Sequence, residues 1–417
     1  MTAEGFKKDL YLLSYSGNFE LLMMISDRPS LLWLPQELRF NLNPPSEESM
    51  LVRAKSFVRD DVYIPLLFID NEGNLQLNFN AGELIRLIRH EKYYDDLEIT
   101  PEMKLPFNYS RLPDFIKGFF GKFRAGKLYA DPLFDFPEKE NPYIVDWLQK
   151  LHHLGSHDKC RPEYPDHFSG AVVITHDVDT NWIFKNQYWL DIICDMEGEF
   201  GFRGAWYCVP ENSSDRLSEK GIDKLLSRGC EIGCHGFSHD AKFPLVNESE
   251  FNRRMALVKD FSLKWGIKGF RSEWLWRNER FIKALSSCFE YDTSIPSSSA
   301  CFTTITRNGC GTAHPYRIKD KLIEIPLSLP MDVDRIGMKM NEADFWNKQF
   351  ERSKQILHLG GVVTITLHPQ SHQFANEKSV HIFKNFLKKI DTIDHVWKTR
   401  PIDIVERYNA ETAVKSE

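Results

Sequence analysis

Two aspartates and two histidines stand where chemistry would be done. In Thr175-His176-Asp177-Val178-Asp179-Thr180 two carboxylates spaced two apart end an apolar run, so one can bind a metal ion while the other serves as a base. In His235-Gly236-Phe237-Ser238-His239 a spacing of four brings both imidazoles to one face if the segment turns helically. Two histidines and one carboxylate make a facial set suited to a catalytic divalent ion with open coordination positions. Spacing alone carries little, because 14 histidines in 417 residues give roughly half such a pair by chance, and His153/His157 and His368/His372 share it. Position singles out His235 and His239: they directly follow one apolar run, and Asp177 and Asp179 follow another. Each residue alone would be ordinary, since an aspartate after a strand commonly caps a helix and a histidine commonly packs with a hydrogen-bond partner.

The elements that must position these groups are short apolar runs alternating with helical stretches: AVVIT (171–175), GAWYCV (204–209), EIGCH (231–235), the segment around GFR (269–271), LIEIPL (322–327) and GVVTITLH (361–368). Continuous β-branched runs separated by helices predict a buried parallel sheet, either a β/α barrel or a doubly wound sheet. In such folds functional groups collect at the carboxyl ends of strands, where Asp177, Asp179, His235 and His368 all lie. His176 reads as a packing residue beside the site. Trp274 and Trp276 read either as a sugar-stacking wall or as buried aromatics.

The order THDVD, EIGCHGFSH, GFRSEW, EYDTSIP, TITLHP resembles the sequential motifs of the polysaccharide deacetylase (NodB-homology, carbohydrate esterase family 4-like) family, over residues 165–410. Carried over position by position, the resemblance implies Asp179, His235 and His239 as metal ligands and Asp177 as general base. It implies that Arg271 orients Asp177, that His368 is the general acid and that Asp292 pairs with His368. The closing segment HVWKTRPIDIVERY (395–408) resembles the family's terminal strand and helix. The implied fold is α/β, a distorted (β/α) barrel, with one divalent transition metal ion. Zinc is the first choice, and cobalt, nickel, manganese or iron fit the same ligands. Two departures stand out. Val178 separates the aspartates, as in a DxD subgroup whose implied substrates include peptidoglycan and small cyclic amides, and Glu273 stands where the third motif usually has proline.

The first 160 residues carry no comparable motif. VYIPLLFIDNEGNLQLNFN (62–80) predicts a hairpin around Asp70–Asn74, and AGELIRLIRHEK (81–92) predicts a helix with Leu84, Ile85, Leu87 and Ile88 on one stripe. NPYIVDWLQKLHHLG (141–155) predicts a helix opened by Pro142 and closed at Gly155, and the turn-rich GSHDKCRPEYPDHFSG (155–170) a linker. The expected organisation is therefore an α+β accessory domain at 1–160 and a deacetylase-like domain at 165–410.

Hydrophobic content of 42% and charged content of 27% exclude disordered, collagenous and coiled-coil classes, and a net charge of −6 argues against nucleic acid as a partner. The N-terminus has neither a signal-peptide core nor a membrane span, so a cytoplasmic protein is expected, and its eight cysteines read as reduced thiols. Homo-oligomerisation stays open. The expected function is metal-dependent removal of an N-acetyl group from an amino sugar of a polysaccharide or its biosynthetic intermediate. The alternatives are a hydrolase of a small cyclic amide or imide, and a carbohydrate-binding protein without catalysis.

Overall fold

The structure is a computed structural model. It describes residues 80–91, 145, 146, 149, 164, 165, 167–210, 218–240, 242–298 and 309–410, with the backbone of 411–414 and of five strands before residue 80. Those strands are β1 (Glu20–Ile25), β2 (Arg28–Trp33), β3 (Met50–Lys55), β4 (Tyr63–Ile69) and β5 (Leu75–Leu77). β1 and β2 form an antiparallel pair, and β3-β4-β5 an antiparallel sheet in which β4 and β5 are the expected hairpin. The helix predicted next, α1 (Ala81–Arg89), is capped by Asn80, whose side chain accepts the Glu83 N–H, and it buries Ala81, Leu84, Ile85 and Ile88. Of the helix expected from 142 to 155, Val145, Asp146 and Gln149 are helical and the rest lies outside the described residues, as does most of the linker.

From Gly170 onward the chain alternates strand and helix. The strands are β6 (Gly170–Val178), β7 (Ala205–Cys208), β8 (Glu231–His235), β9 (Gly269–Arg271), β10 (Tyr291–Asp292), β11 (Tyr316–Lys319), β12 (Leu322–Glu324), β13 (Val362–Leu367) and β14 (Val396–Lys398). Their helices are α2 (Gln187–Glu199), α3 (Glu219–Ser227), α4 (Glu248–Trp265), α5 (Glu279–Leu285), α6 (Glu342–His358), α7 (Glu377–Ile390) and α8 (Pro401–Val414). Asparagine caps four of them, Asn247, Asn278, Asn341 and Asn376 each accepting the N–H three residues on. The nine strands run in the order β11-β12-β10-β9-β8-β7-β6-β13, with β14 also beside β6, and every pairing is parallel except β11 with β12. The closing strand and helix expected at 395–408 are β14 and α8.

The sheet closes without a regular ladder between its ends. After β12 the chain runs on beside β13, where the Thr364 N–H donates to Ser328 Oγ at 2.8 Å, Thr364 Oγ1 to the Pro326 carbonyl at 2.8 Å, and the Asp332 N–H to the Thr366 carbonyl at 3.2 Å. The result is the distorted (β/α) barrel, sealed over residues 326–332 by side chains as much as by backbone.

Strand alternation divides the barrel into two surfaces. Ala171, Val173, Ala205, Tyr207, Tyr291, Ile323, Ile325 and Val362 form the interior floor. Val172, Ile174, Trp206, Cys208, Ile232, Phe270, Val363 and Ile365 face the helices in the larger core. Gly233 and Gly269 make room for the two interior tyrosines: a Cβ at Gly233 would lie 2.3 Å from the Tyr207 ring, and one at Gly269 2.0 Å from that of Tyr291. Glu231 Oε1 accepts the Tyr291 hydroxyl at 2.5 Å, and the Tyr291 and Tyr207 hydroxyls lie 2.8 Å apart. α1 packs on the outside, where the Tyr316 hydroxyl donates to the Arg89 carbonyl at 2.9 Å and Arg277 pairs with Glu91.

Cys194, Cys208, Cys230, Cys234, Cys288 and Cys310 are free thiols, all buried but Cys288, while Cys160 and Cys301 lie outside the described residues. Among the described residues no helix is long and apolar enough to cross a membrane.

Candidate active site

The same alternation decides which expected residues meet. In β6 the odd positions face the interior, so Thr175 and Asp177 point up the barrel axis and Asp179 follows at its rim. His176 faces the helices, stacked on Trp206 with ring centroids 3.9 Å apart and bonded through Nε2 to Glu197 at 2.7 Å. His235 ends β8 and Arg271 ends β9, paired in register and both interior. His368 continues the interior face of β13 after Thr364 and Thr366.

Asp179, His235 and His239 converge. Asp179 Oδ1 lies 3.3 Å from His235 Nε2 and 3.1 Å from His239 Nε2, and among the described residues these three alone form a group able to hold a metal ion. The segment from His235 to His239 is not a helical turn, as the spacing suggested. It is a loop with left-handed backbone at Gly236 (φ 60°) and His239 (φ 55°).

The donor set fits a divalent cation on internal grounds. The Arg271 carbonyl lies 3.1 Å from His235 Nδ1, and because a carbonyl only accepts, Nδ1 carries the proton. Nε2 of His235 is then the ring nitrogen that faces Asp179 Oδ1, 3.3 Å away, a contact that needs a proton or a cation between the two atoms. Protons do this at His239: burial works against its charge, but Asp179 outweighs burial and raises it to about 9. Burial likewise would raise Asp179, yet His239, His235 and His368 hold it well below the usual carboxylate range. A metal ion replaces such protons.

Beside these three residues Asp177 is locked to Arg271. Arg271 Nη1 donates to Asp177 Oδ1 at 2.7 Å and Thr175 Oγ1 at 2.9 Å, Nη2 to Thr293 Oγ1 at 3.1 Å and Nε to the Thr293 carbonyl at 3.1 Å. The fully buried guanidinium lies 4.6 Å over the Tyr207 ring. Burial alone would favour protonated Asp177, but Arg271, His235 and His368 hold it ionised below its ordinary value.

On the other side His368 is gripped by Asp332, whose Oδ1 lies 2.6 Å from Nδ1 and whose Oδ2 accepts the His368 N–H at 2.8 Å. Burial opposes the imidazolium, yet Asp332 first, then Asp179 and Asp177, raise it to about 10. The expected partner, Asp292, is not in the site. Tyr291 faces the interior, so Asp292 faces the helices with Phe270, its register partner. There it accepts the Ser294 hydroxyl at 2.6 Å and lies beside Glu324. Burial pushes Asp292 up to about 6, and burial and the Asp292 charge push Glu324 well above its usual range. Asp292 belongs to a proton-sharing carboxyl pair with Glu324 rather than to His368.

Sequence reasoning did not single out Asp332, Thr175, Thr293 or Gln370, whose Nε2 lies 3.4 Å from Asp179 Oδ2. Thr175 was within reach, sitting one interior position below Asp177, but Asp332 lies in the irregular PLSLPMD segment, where no periodicity assigns a direction. Of the two tryptophans read either as a stacking wall or as buried aromatics, Trp276 is buried and Trp274 half-buried with left-handed backbone (φ 56°).

No protein-family model and no curated protein sequence matches the chain. Among solved structures it is similar to a candidate polysaccharide deacetylase from Mycobacterium smegmatis, at 18% identity and a TM-score of 0.48, covering 61% of this chain and 96% of that one. It is similar to PuuE allantoinase at 13% identity and a TM-score of 0.47, covering 61% and 95%. It is also similar to the peptidoglycan deacetylase PdaC from Bacillus subtilis at 13% identity and a TM-score of 0.38, covering 60% and 97%.

Proposed function

We propose that this chain belongs to the polysaccharide deacetylase family and is a metal-dependent hydrolase that removes the N-acetyl group from an amino sugar. The sequence motifs support the family, and the geometry supports the chemistry. One observation carries the reading: a three-ligand set, Asp179, His235 and His239, lies between a carboxylate held ionised by Arg271 and an imidazole held protonated by Asp332.

Amide hydrolysis needs a nucleophile at neutral pH, a stabilised oxyanion and a proton for the leaving nitrogen. A divalent ion on the three ligands would lower the pKa of a coordinated water toward about 7 and polarise the acetyl carbonyl. Asp177, ionised and fixed in rotamer by Arg271, is the proton acceptor. His368, charged and oriented through Nδ1 by Asp332, leaves Nε2 as the proton donor to the departing amine. Within this proposal residues 165–410 are the catalytic unit and 1–160 an accessory domain.

The test is acetate release from N-acetylglucosamine oligomers by the full chain loaded in turn with zinc, cobalt, nickel, manganese and iron, with a small cyclic amide assayed in parallel. Metal-dependent acetate release supports the proposal. Turnover of the cyclic amide alone would move the substrate to that class, and one bound equivalent of metal with no turnover of either would leave a binding protein on a hydrolase fold.

A further inference from the structure

A buried carboxylate that the proposed chemistry does not use holds the ligand loop from behind. Glu273 Oε1 accepts three consecutive backbone N–H groups, those of Phe237 at 2.6 Å, Ser238 at 2.8 Å and His239 at 2.7 Å. Glu273 is 2% exposed. Three successive amides aimed at one oxygen form an anion-binding nest, here filled by a side chain of the same protein. The loop is also shaped around it. Gly236 has φ 60°, and a Cβ there would lie 2.1 Å from Glu273 Cγ, so both the backbone conformation and the space require glycine. His239, a β-carbon-bearing residue, is held at φ 55°, a conformation costing about 1 kcal/mol or more that persists only when its surroundings enforce it.

The loop's outer side is held separately. Arg254 of α4 donates to both oxygens of Asp240, at 2.9 and 2.7 Å, and its guanidinium lies 5.0 Å over the Phe237 ring. This clamp fixes the end of the loop beyond His239, whereas the contacts of Glu273 reach His239 itself.

We infer that Glu273 is a positioning residue for metal binding: by holding the amides of 237–239 it keeps His239 directed at Asp179 before any ion arrives. Pre-organised ligands bind a metal more tightly because the ordering of the loop is complete beforehand. Proline, usual at this position in the resembling family, has no side-chain acceptor to take these amides, so this chain stabilises its ligand loop by its own means. The inference rests on the proposed metal site and deepens it.

The experiment compares wild type, Glu273→Gln and Glu273→Ala as full-length proteins. Zinc affinity is measured by competition with a chromogenic chelator, and amide hydrogen exchange at 237–239 is measured in the metal-free state. Glu273→Ala is expected to bind zinc about 10–100-fold more weakly and to exchange those amides faster. Glu273→Gln keeps an acceptor oxygen without the charge and falls between, which decides the matter if the alanine variant does not fold. Wild-type zinc affinity in both folded variants would overturn the inference. Should wild type take up no metal, the proposed function falls, and exchange alone then judges Glu273: unchanged rates at 237–239 overturn its hold on the loop, and faster rates uphold it.

Discussion

Asp332 holds His368 at two points, taking its backbone N–H at 2.8 Å and facing its Nδ1 at 2.6 Å, so one carboxylate sets the position, tautomer and charge of the imidazole. Asp332→Asn should therefore lower the His368 pKa from about 10 and move the alkaline limb of the rate profile to lower pH. With His368 as the proposed general acid, the rate should fall by at most the roughly 10²–10⁴-fold that such an acid contributes. Asp292→Asn should leave the profile in place, because Asp292 faces the helices. A profile displaced by Asp292→Asn and not by Asp332→Asn would reverse the assignment.

The same pair gives stability a pH dependence. His368 has its folded pKa raised above the ordinary 6.5, so its contribution is complete below about pH 6.5 and is lost as pH rises toward about 10. Denaturation of wild type and Asp332→Asn should show the larger difference at pH 6 and a smaller one above pH 10. Equal differences at both ends would contradict this.

Arg271 is buried with Asp177 as its partner, and Thr175 and Thr293 fix its guanidinium. Removing one member of such a pair strands the other charge, which costs about 3–5 kcal/mol. Arg271→Met should show that loss in urea titration, and Arg271→Lys, which keeps the charge but lacks the planar fork, should keep most stability while losing activity. Full activity in Arg271→Lys would mean that charge alone orients Asp177.

Much of this was legible in the sequence because two periodicities carry it. Apolar runs with chemistry at their ends located β6, β8 and β13, and placed Asp177, Asp179, His235 and His368 at one end of a parallel barrel. Alternation also explains the failure at Asp292: the motif named the residue, but β10 spans only Tyr291–Asp292, too short for sequence to show which of the two faces inward. Asp332 was out of reach for another reason. It is positioned by a proline-containing segment that joins β13 through the Ser328 hydroxyl and the Asp332 N–H, contacts with no sequence period. The role of Glu273 was equally hidden, since three backbone amides 34–36 residues away leave no mark on its neighbours.

The barrel floor offers a check independent of catalysis. Burial raises Glu231 to about 7, although Tyr291, the Ile402 N–H and Arg400 pull the other way. A carboxyl whose folded pKa lies above its unfolded value of 4.5 stabilises fully below about pH 4.5 and loses that contribution as pH rises through about 7. Glu231→Gln removes the titration and keeps one of the two oxygens that accept the Tyr291 hydroxyl and the Ile402 N–H. Its effect on the Tm should be more favourable at pH 8 than near pH 4.5 by the equivalent of up to about 3 kcal/mol. An equal shift at both pH values would show that Glu231 does not titrate in this range.

Whether Asp179, His235 and His239 hold a catalytic metal ion, as proposed, is read most directly from the metal content of purified wild type beside Asp179→Ala and His235→Ala. One equivalent of a transition metal in wild type, lost in both folded variants, is the result expected. Wild type that takes up no metal after incubation with zinc, cobalt and nickel, or variants that keep the full equivalent, would contradict it.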